Sequence, residues 1–129
     1  MLKKYIIICI LTTFFSCDSA QIINKISATD FLILNDKEDI QLIDVRRFEE
    51  YNNGYIEGAV NIDFYKSTFI DSINMLDKSK TTVVYCKSGN RSSKSALMMK
   101  SLGFETIYDL NEGMNGWLGN RYVVIDSLN

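Results

Sequence analysis

The stretch that most constrains this chain is centred on Cys86. Val83, Val84 and Tyr85 make a β-branched and aromatic run that halts at Cys86. Lys87, Ser88, Gly89 and Asn90 follow as a polar turn, and a helical pattern opens at Asn90 or Arg91 and continues through Ser92, Ala96 and Leu97. This order predicts a buried strand, a tight loop and a helix N-terminus with no residues to spare between them. In such a turn, successive N–H groups face inward as a nest while the first amides of the helix point the same way, which makes an anion site. The anion the chain itself supplies is the Cys86 thiolate, the nucleophilic form of cysteine.

Magnitudes say what such a site must contain. A thiol of ordinary pKa, about 8.5, has to fall to about 6 to be roughly nine-tenths ionised at pH 7, a change worth about 3.4 kcal/mol. A helix terminus contributes about 0.3 to 1 kcal/mol. Lys87 and Arg91, with direct N–H hydrogen bonds to the sulfur, are expected to supply the rest, and Ser88, Asn90 and Ser92 offer hydroxyl or amide donors. The plainer reading of Cys86 is an inert cysteine closing a strand. A glycine-containing turn with two cations argues against it. Gly89 is the one glycine assigned to the chemistry, and the other glycines are read as turns.

Further motifs accompany the loop: Leu42-Ile43-Asp44-Val45-Arg46, Glu50-Tyr51, Gly54-Tyr55-Ile56-Glu57-Gly58-Ala59-Val60-Asn61-Ile62, and Gly113-Met114-Asn115-Gly116-Trp117. With Cys86 and Arg91 spaced as Cys-x4-Arg, the chain resembles the rhodanese-like sulfurtransferases in the family's own order, over nearly everything after residue 20. The resemblance implies an α/β three-layer domain. It also implies a thiolate that takes sulfane sulfur from a small anionic donor such as thiosulfate, becomes a persulfide, and passes the sulfur to cyanide or a thiol. Cys86 is then the catalytic residue, and residues 87–92 hold the donor. Asp44 and Arg46 are read as a structural ion pair, scaffolding beneath the loop. Two departures stand out: Tyr55 replaces a usual histidine, and the usual proline after Asn61-Ile62 is absent.

Two rival functions remain open at this stage. Related phosphatases also carry a loop cysteine and arginine, but with five residues between them; here there are four, and no aspartate is placed as a general acid. A non-enzymatic binding or redox-sensing module on the same scaffold, held at the cell envelope, is the other, although inactive members of the family commonly lose the cysteine.

Composition narrows the classes. The chain has 129 residues, 47% hydrophobic and 23% charged, which fits one domain with a modest core. Its net charge is −2, and removal of a leader carrying Lys3 and Lys4 leaves 12 basic against 16 acidic residues, so nucleic-acid binding is not expected. There is no histidine and, past the leader, one cysteine. Neither a Cys-His pair nor a cysteine or histidine metal site is therefore expected, and no cofactor.

The N-terminus reads as an export signal: Met1, Leu2, Lys3 and Lys4, an apolar run over residues 5–15 that includes Cys9, then Ser16, Cys17, Asp18, Ser19 and Ala20. The run is short of the roughly 20 residues that span a bilayer. Ser16 before Cys17 resembles the lipobox of bacterial lipoproteins, with Phe14 and Phe15 departing from its preferred residues. Residues 1–20 are thus expected to be a signal segment, Cys17 a lipid-modified first mature residue, and the protein an envelope lipoprotein facing the periplasm or cell surface. Cleavage after Ser19 and an uncleaved anchor or buried N-terminal strand are the alternatives. In an oxidising compartment Cys86 would be a lone exposed thiol, vulnerable unless it is reduced or cycles as a persulfide.

Residues 21–129 are expected to form the domain. Strands are predicted over 21–26, 40–45, 59–62, 81–85 and 106–110. Helices are predicted after a Ser27/Asp30 capping box, over 48–52 and 67–76, from Asn90 or Arg91 to Leu102 with a Gly103/Phe104 ending, and around 114–118. Trp117 is assigned to the core and residues 121–125 to a covering tail. Strands alternating with helices predict an α/β fold with a mainly parallel sheet of about five strands.

Overall fold

The computed structural model describes residues 23–126. The expected leader with Cys9 and Cys17 lies outside the described residues. One sheet carries β1 (Ile23–Ile26), β2 (Gln41–Asp44), β3 (Val60–Asn61), β4 (Thr82–Tyr85) and β5 (Ile107–Leu110) in the order β1-β5-β4-β2-β3, with every pairing parallel. The connections are α1 (Ala28–Lys37), α2 (Phe48–Asn52), α3 (Phe69–Asn74) and α4 (Asn90–Ser101), and α5 (Gly113–Gly119) follows the last strand. This is the α/β layered fold the alternation predicts.

Side chains on a strand alternate between faces, and that alternation splits the core in two. Leu42, Val83, Tyr85 and Leu110 pack with Phe31 of α1 and with Met114 and Trp117 of α5. Ile43, Val84 and Ile107 point the other way, onto Phe69 and Ile73 of α3 and Ala96 and Met99 of α4. A parallel sheet buried on both faces needs such near-continuous apolar strands, and all four residues of β4 are buried.

Local chemistry sets the boundaries. The Ser27 hydroxyl accepts from the Asp30 N–H at 3.0 Å and donates to its carboxylate at 2.7 Å, starting α1. At the end of α4, Gly103 has φ +95° and donates to the Lys100 carbonyl at 3.1 Å, while Phe104 donates to the Met99 carbonyl at 3.1 Å. These are the two bonds of a Schellman ending. The helix expected over 67–76 is shorter, Phe69–Asn74. Thr68 provides no side-chain cap, and Met75 and Leu76 turn back to carbonyls only three residues earlier.

The tail closes over the Trp117 side of the sheet. Tyr55 and Ile125 exchange backbone hydrogen bonds of 2.9 and 2.8 Å, and the Trp117 indole donates to the Val123 carbonyl at 2.9 Å. Trp117 meets the Phe31 ring edge-on, with centroids 5.8 Å apart. Among the described residues no helix is long and apolar enough to cross a membrane. Phe31 is 1% exposed, so Phe31→Ala should destabilise the domain by about 3 to 5 kcal/mol, read as a lower denaturant midpoint at unchanged slope.

Candidate active site

β4 lies between β5 and β2, so the loops leaving the C-terminal ends of these three strands converge. In parallel α/β sheets that edge is where ligand-facing loops gather. Cys86 is the first residue after β4, Arg46 follows β2 by two residues, and residues 111–112 lead from β5 into α5.

The loop closes around the Cys86 sulfur. The Gly89 N–H donates to Sγ at 3.1 Å, and the Ser92 hydroxyl oxygen lies 3.5 Å from it, placed to donate once the thiol ionises. Gly89 adopts φ +105°, a left-handed conformation disfavoured for other residues, and so aims its N–H inward as α4 begins. Burial, the largest single influence, resists ionisation of Cys86. The Ser92 hydroxyl and the N–H groups of Ser92, Gly89 and Ser88 outweigh it, and the net effect lowers the thiol pKa. Cys86 is 1% exposed. The lone exposed thiol expected from the sequence is instead buried beneath the loop and the start of α4, packed in the cluster that includes Val84 and Ala96.

The loop carbonyls face the other way and are held there. Met114 N–H donates to the Cys86 carbonyl at 2.8 Å and Asn115 N–H to the Lys87 carbonyl at 2.9 Å, so the free amides at the start of α5 brace the loop from behind. Gly113 makes this approach possible. A Cβ there would collide with the Cys86 carbonyl and sit 3.0 Å from that of Lys87. Gly113 therefore belongs to the site rather than to a simple turn. Glu112 just before it is held left-handed at φ 60°.

Asp44 and Arg46 form a buried ion pair. Arg46 Nε and Nη2 contact the carboxylate at 3.0 and 2.7 Å, and Nη2 also reaches the Gly54 carbonyl at 2.7 Å. The Asn61 side-chain amide donates to the Asp44 and Arg46 carbonyls at 3.0 and 2.9 Å, tying β3 to the same corner. The Tyr85 hydroxyl accepts from the Ile56 N–H at 3.1 Å. Burial pushes the Tyr85 pKa up, helped by Asp44, so that hydroxyl stays protonated.

Of the residues expected to hold a donor, the structure gathers Ser88, Gly89 and Ser92 on the sulfur. Asn90 is exposed at the head of α4, and Lys87 is exposed at the rim. Arg91 goes elsewhere. Its guanidinium makes a bidentate bond to Glu50, 2.6 and 3.0 Å, and Glu50 also accepts from the Arg47 N–H at 3.1 Å. The bond to Arg91 is the main cause that brings the Glu50 pKa down to about 2, and Glu50 in turn raises that of Arg91, so both remain charged. The hydrogen bonds that stabilise the thiolate come from amides and a hydroxyl, where two cations had been expected to do much of the work. Glu50 carried no assigned role in the sequence, since its partner lies 41 residues away. On the far side of the same rim, Asp109 is buried and bonded to Lys25 and to the Ser93 hydroxyl, fixing α4 to β1 and β5. No group of three metal-ligating side chains comes together among the described residues.

A cavity of about 300 Å³ opens beside the loop, lined by Lys87, Glu50, Asn53, Asn115, Met114, Leu118 and Val124, among others. A larger one of about 430 Å³ lies under the tail against Phe31 and Trp117 and includes no residue of the loop.

The fold and the loop thus define an α/β domain with a cysteine cradled by amides after its central strand. The family model for the rhodanese-like domain matches residues 27–120, and the chain belongs to that family. Thiosulfate sulfurtransferase GlpE of Shewanella oneidensis is 27% identical over 92 residues, covering 71% of this chain and 89% of that protein. The putative sulfur carrier protein YrkF of Bacillus subtilis is 32% identical, covering 81% of this chain and 56% of its own length. Proteins called tRNA uridine(34) hydroxylase also match; that of Escherichia fergusonii is 30% identical, and the chain spans 29% of its length. A rhodanese-related protein of Thermoplasma volcanium superposes with a TM-score of 0.69 at 30% identity, over 79% of this chain and 97% of that one. Together these place the chain among sulfurtransferase-type proteins.

Ser92→Ala removes a hydrogen bond made to the thiolate, so the reactive pKa of Cys86 should rise, measured from the pH dependence of alkylation by iodoacetamide. The native thiol titrates below its unfolded value. Its contribution to stability is therefore complete above the unfolded pKa and is lost as pH falls through the folded one. In the variant that contribution should be smaller, and its loss should be finished at a higher pH.

Proposed function

We propose that the protein moves sulfane sulfur through a persulfide on Cys86, from a donor such as thiosulfate to cyanide or a thiol acceptor. The observation that carries this reading is the inward Gly89 N–H, 3.1 Å from Sγ, inside a ring with four residues between Cys86 and Arg91. With thiosulfate, the thiolate attacks the outer sulfur, the S–S bond of the donor breaks, and sulfite leaves with the bonding pair. The product, Cys86–S–S⁻, keeps its negative charge within reach of the same amides. Charge is held in place throughout, and little has to reorganise. An acceptor nucleophile then attacks the terminal sulfur and returns the Cys86 thiolate, a double-displacement cycle.

Ring size favours this over phosphate chemistry. Four intervening residues around a cysteine that is 1% exposed suit the transfer of a single terminal atom, presented at the end of its donor. The test is a mass measurement. Incubation with thiosulfate should add one sulfur to the protein, cyanide should remove it, and Cys86→Ser should abolish both while keeping the fold. A folded protein that takes up no sulfur from thiosulfate or from a persulfide would instead fit a binding or redox-sensing module.

The reading extends to location: export through residues 1–20 and a lipid on Cys17, supported by the apolar run and the Ser16-Cys17 pair. Cys17→Ser should move the protein from the membrane to the soluble fraction of a bacterial host. Membrane retention of that variant would refute the lipid anchor.

A further inference from the structure

Arg91, the cation at the head of α4, is not free to meet an anion. Arg91 is neutralised by its bidentate bond to Glu50. Lys87 lines the neighbouring cavity together with that same Glu50. Glu112 and Ser88 line a second cleft at the loop. Arg47 is spread over the Tyr65 ring, 4.4 Å from its centroid, with Arg91 at 5.9 Å from the same ring. Arg91 is thus spent on Glu50, and the ionised sulfur adds a negative charge. A small dianion therefore meets a weaker positive field than a free Arg91 would give it. The cavity beside the loop suits an organic body, since Met114, Leu118 and Val124 give it an apolar side and Asn53, Asn115 and Lys87 a polar one. At about 300 Å³ it is at the lower end of small-molecule sites.

We propose that Glu50 determines donor specificity: by neutralising Arg91 it turns the site away from dianions such as thiosulfate and toward organic persulfides, whose carbon-bearing part occupies the Lys87/Leu118 cavity. The inference rests on the persulfide reading of Cys86. In the favoured step the Cys86 thiolate attacks the outer sulfur of R–S–SH and forms Cys86–S–SH. The donor S–S bond breaks, and R–S⁻ leaves with the electron pair while the proton stays on the transferred sulfur. Atoms and charge balance, with no other reactant.

The experiment compares kcat/KM for thiosulfate and for an organic persulfide with no other charged group, such as benzyl persulfide, with cyanide as acceptor. The wild type should favour the persulfide. Glu50→Gln should raise kcat/KM for thiosulfate about tenfold and that for the persulfide by less than about threefold, the scale of one unit charge acting on a dianion across about 6 Å of water-like medium. Glu50→Asp, which keeps the charge but shortens the arm, should retain the wild-type preference and so separates charge from any effect on α2. Glu112→Gln, outside that helix, should shift the ratio in the same direction by a smaller factor. An unchanged donor ratio in both glutamine variants, or a wild type that uses the two donors equally well, overturns the inference while leaving sulfur transfer intact. If neither donor places sulfur on Cys86, the proposed reaction falls with it.

Discussion

A peptide unit points its N–H and its carbonyl in opposite directions, and the Cys86 loop lives with that constraint. Turning the Ser88, Gly89 and Ser92 amides onto one sulfur leaves carbonyls on the outer side of the loop that need donors of their own. The first amides of α5 meet the Cys86 and Lys87 carbonyls at 2.8 and 2.9 Å. An unpaired buried carbonyl costs on the order of 1 to 3 kcal/mol, so the cradle and its brace form one object. Gly113 lets α5 come close enough, and the parallel register of β4 with β5 sets the two loops side by side.

Electrostatics around this object is layered. Innermost is a sulfur whose hydrogen bonds come from amides and a hydroxyl. Beneath it lies the Asp44–Arg46 pair, with the Arg46 guanidinium also on the Gly54 carbonyl and the backbone carbonyls of both residues held by the Asn61 amide. Outermost come Arg91 and Glu50, charged across the working pH range and spent on each other. A buried charge pair is strongly destabilised by losing one member, which is why Asp44 and Arg46 are best understood as holding the β2 and β3 loops where the sulfur needs them.

Much of the fold was legible in the sequence because it is written locally. The apolar run into Cys86, the Ser27/Asp30 pair and the Gly103/Phe104 ending each fix a boundary within a few residues of themselves, and the observed elements follow them. Helix α2 falls where expected, at Phe48–Asn52. What stayed hidden depends on register between distant segments. Arg91 could be seen as a loop cation, but its capture by Glu50 requires the β2 and β4 ends to lie side by side. Gly113 read as an ordinary turn because its role comes from the Cys86 carbonyl against it, and no local pattern reveals that contact.

The depth of Cys86 has a chemical consequence of its own. Two chains can be cross-linked through cysteine only if their α-carbons approach within about 7 Å. Here the cysteine backbone ends the middle strand of a sheet covered by helices on both faces, so a second copy has no way to bring its sulfur that near. A disulfide between the Cys86 residues of two copies is thereby disfavoured by the fold itself.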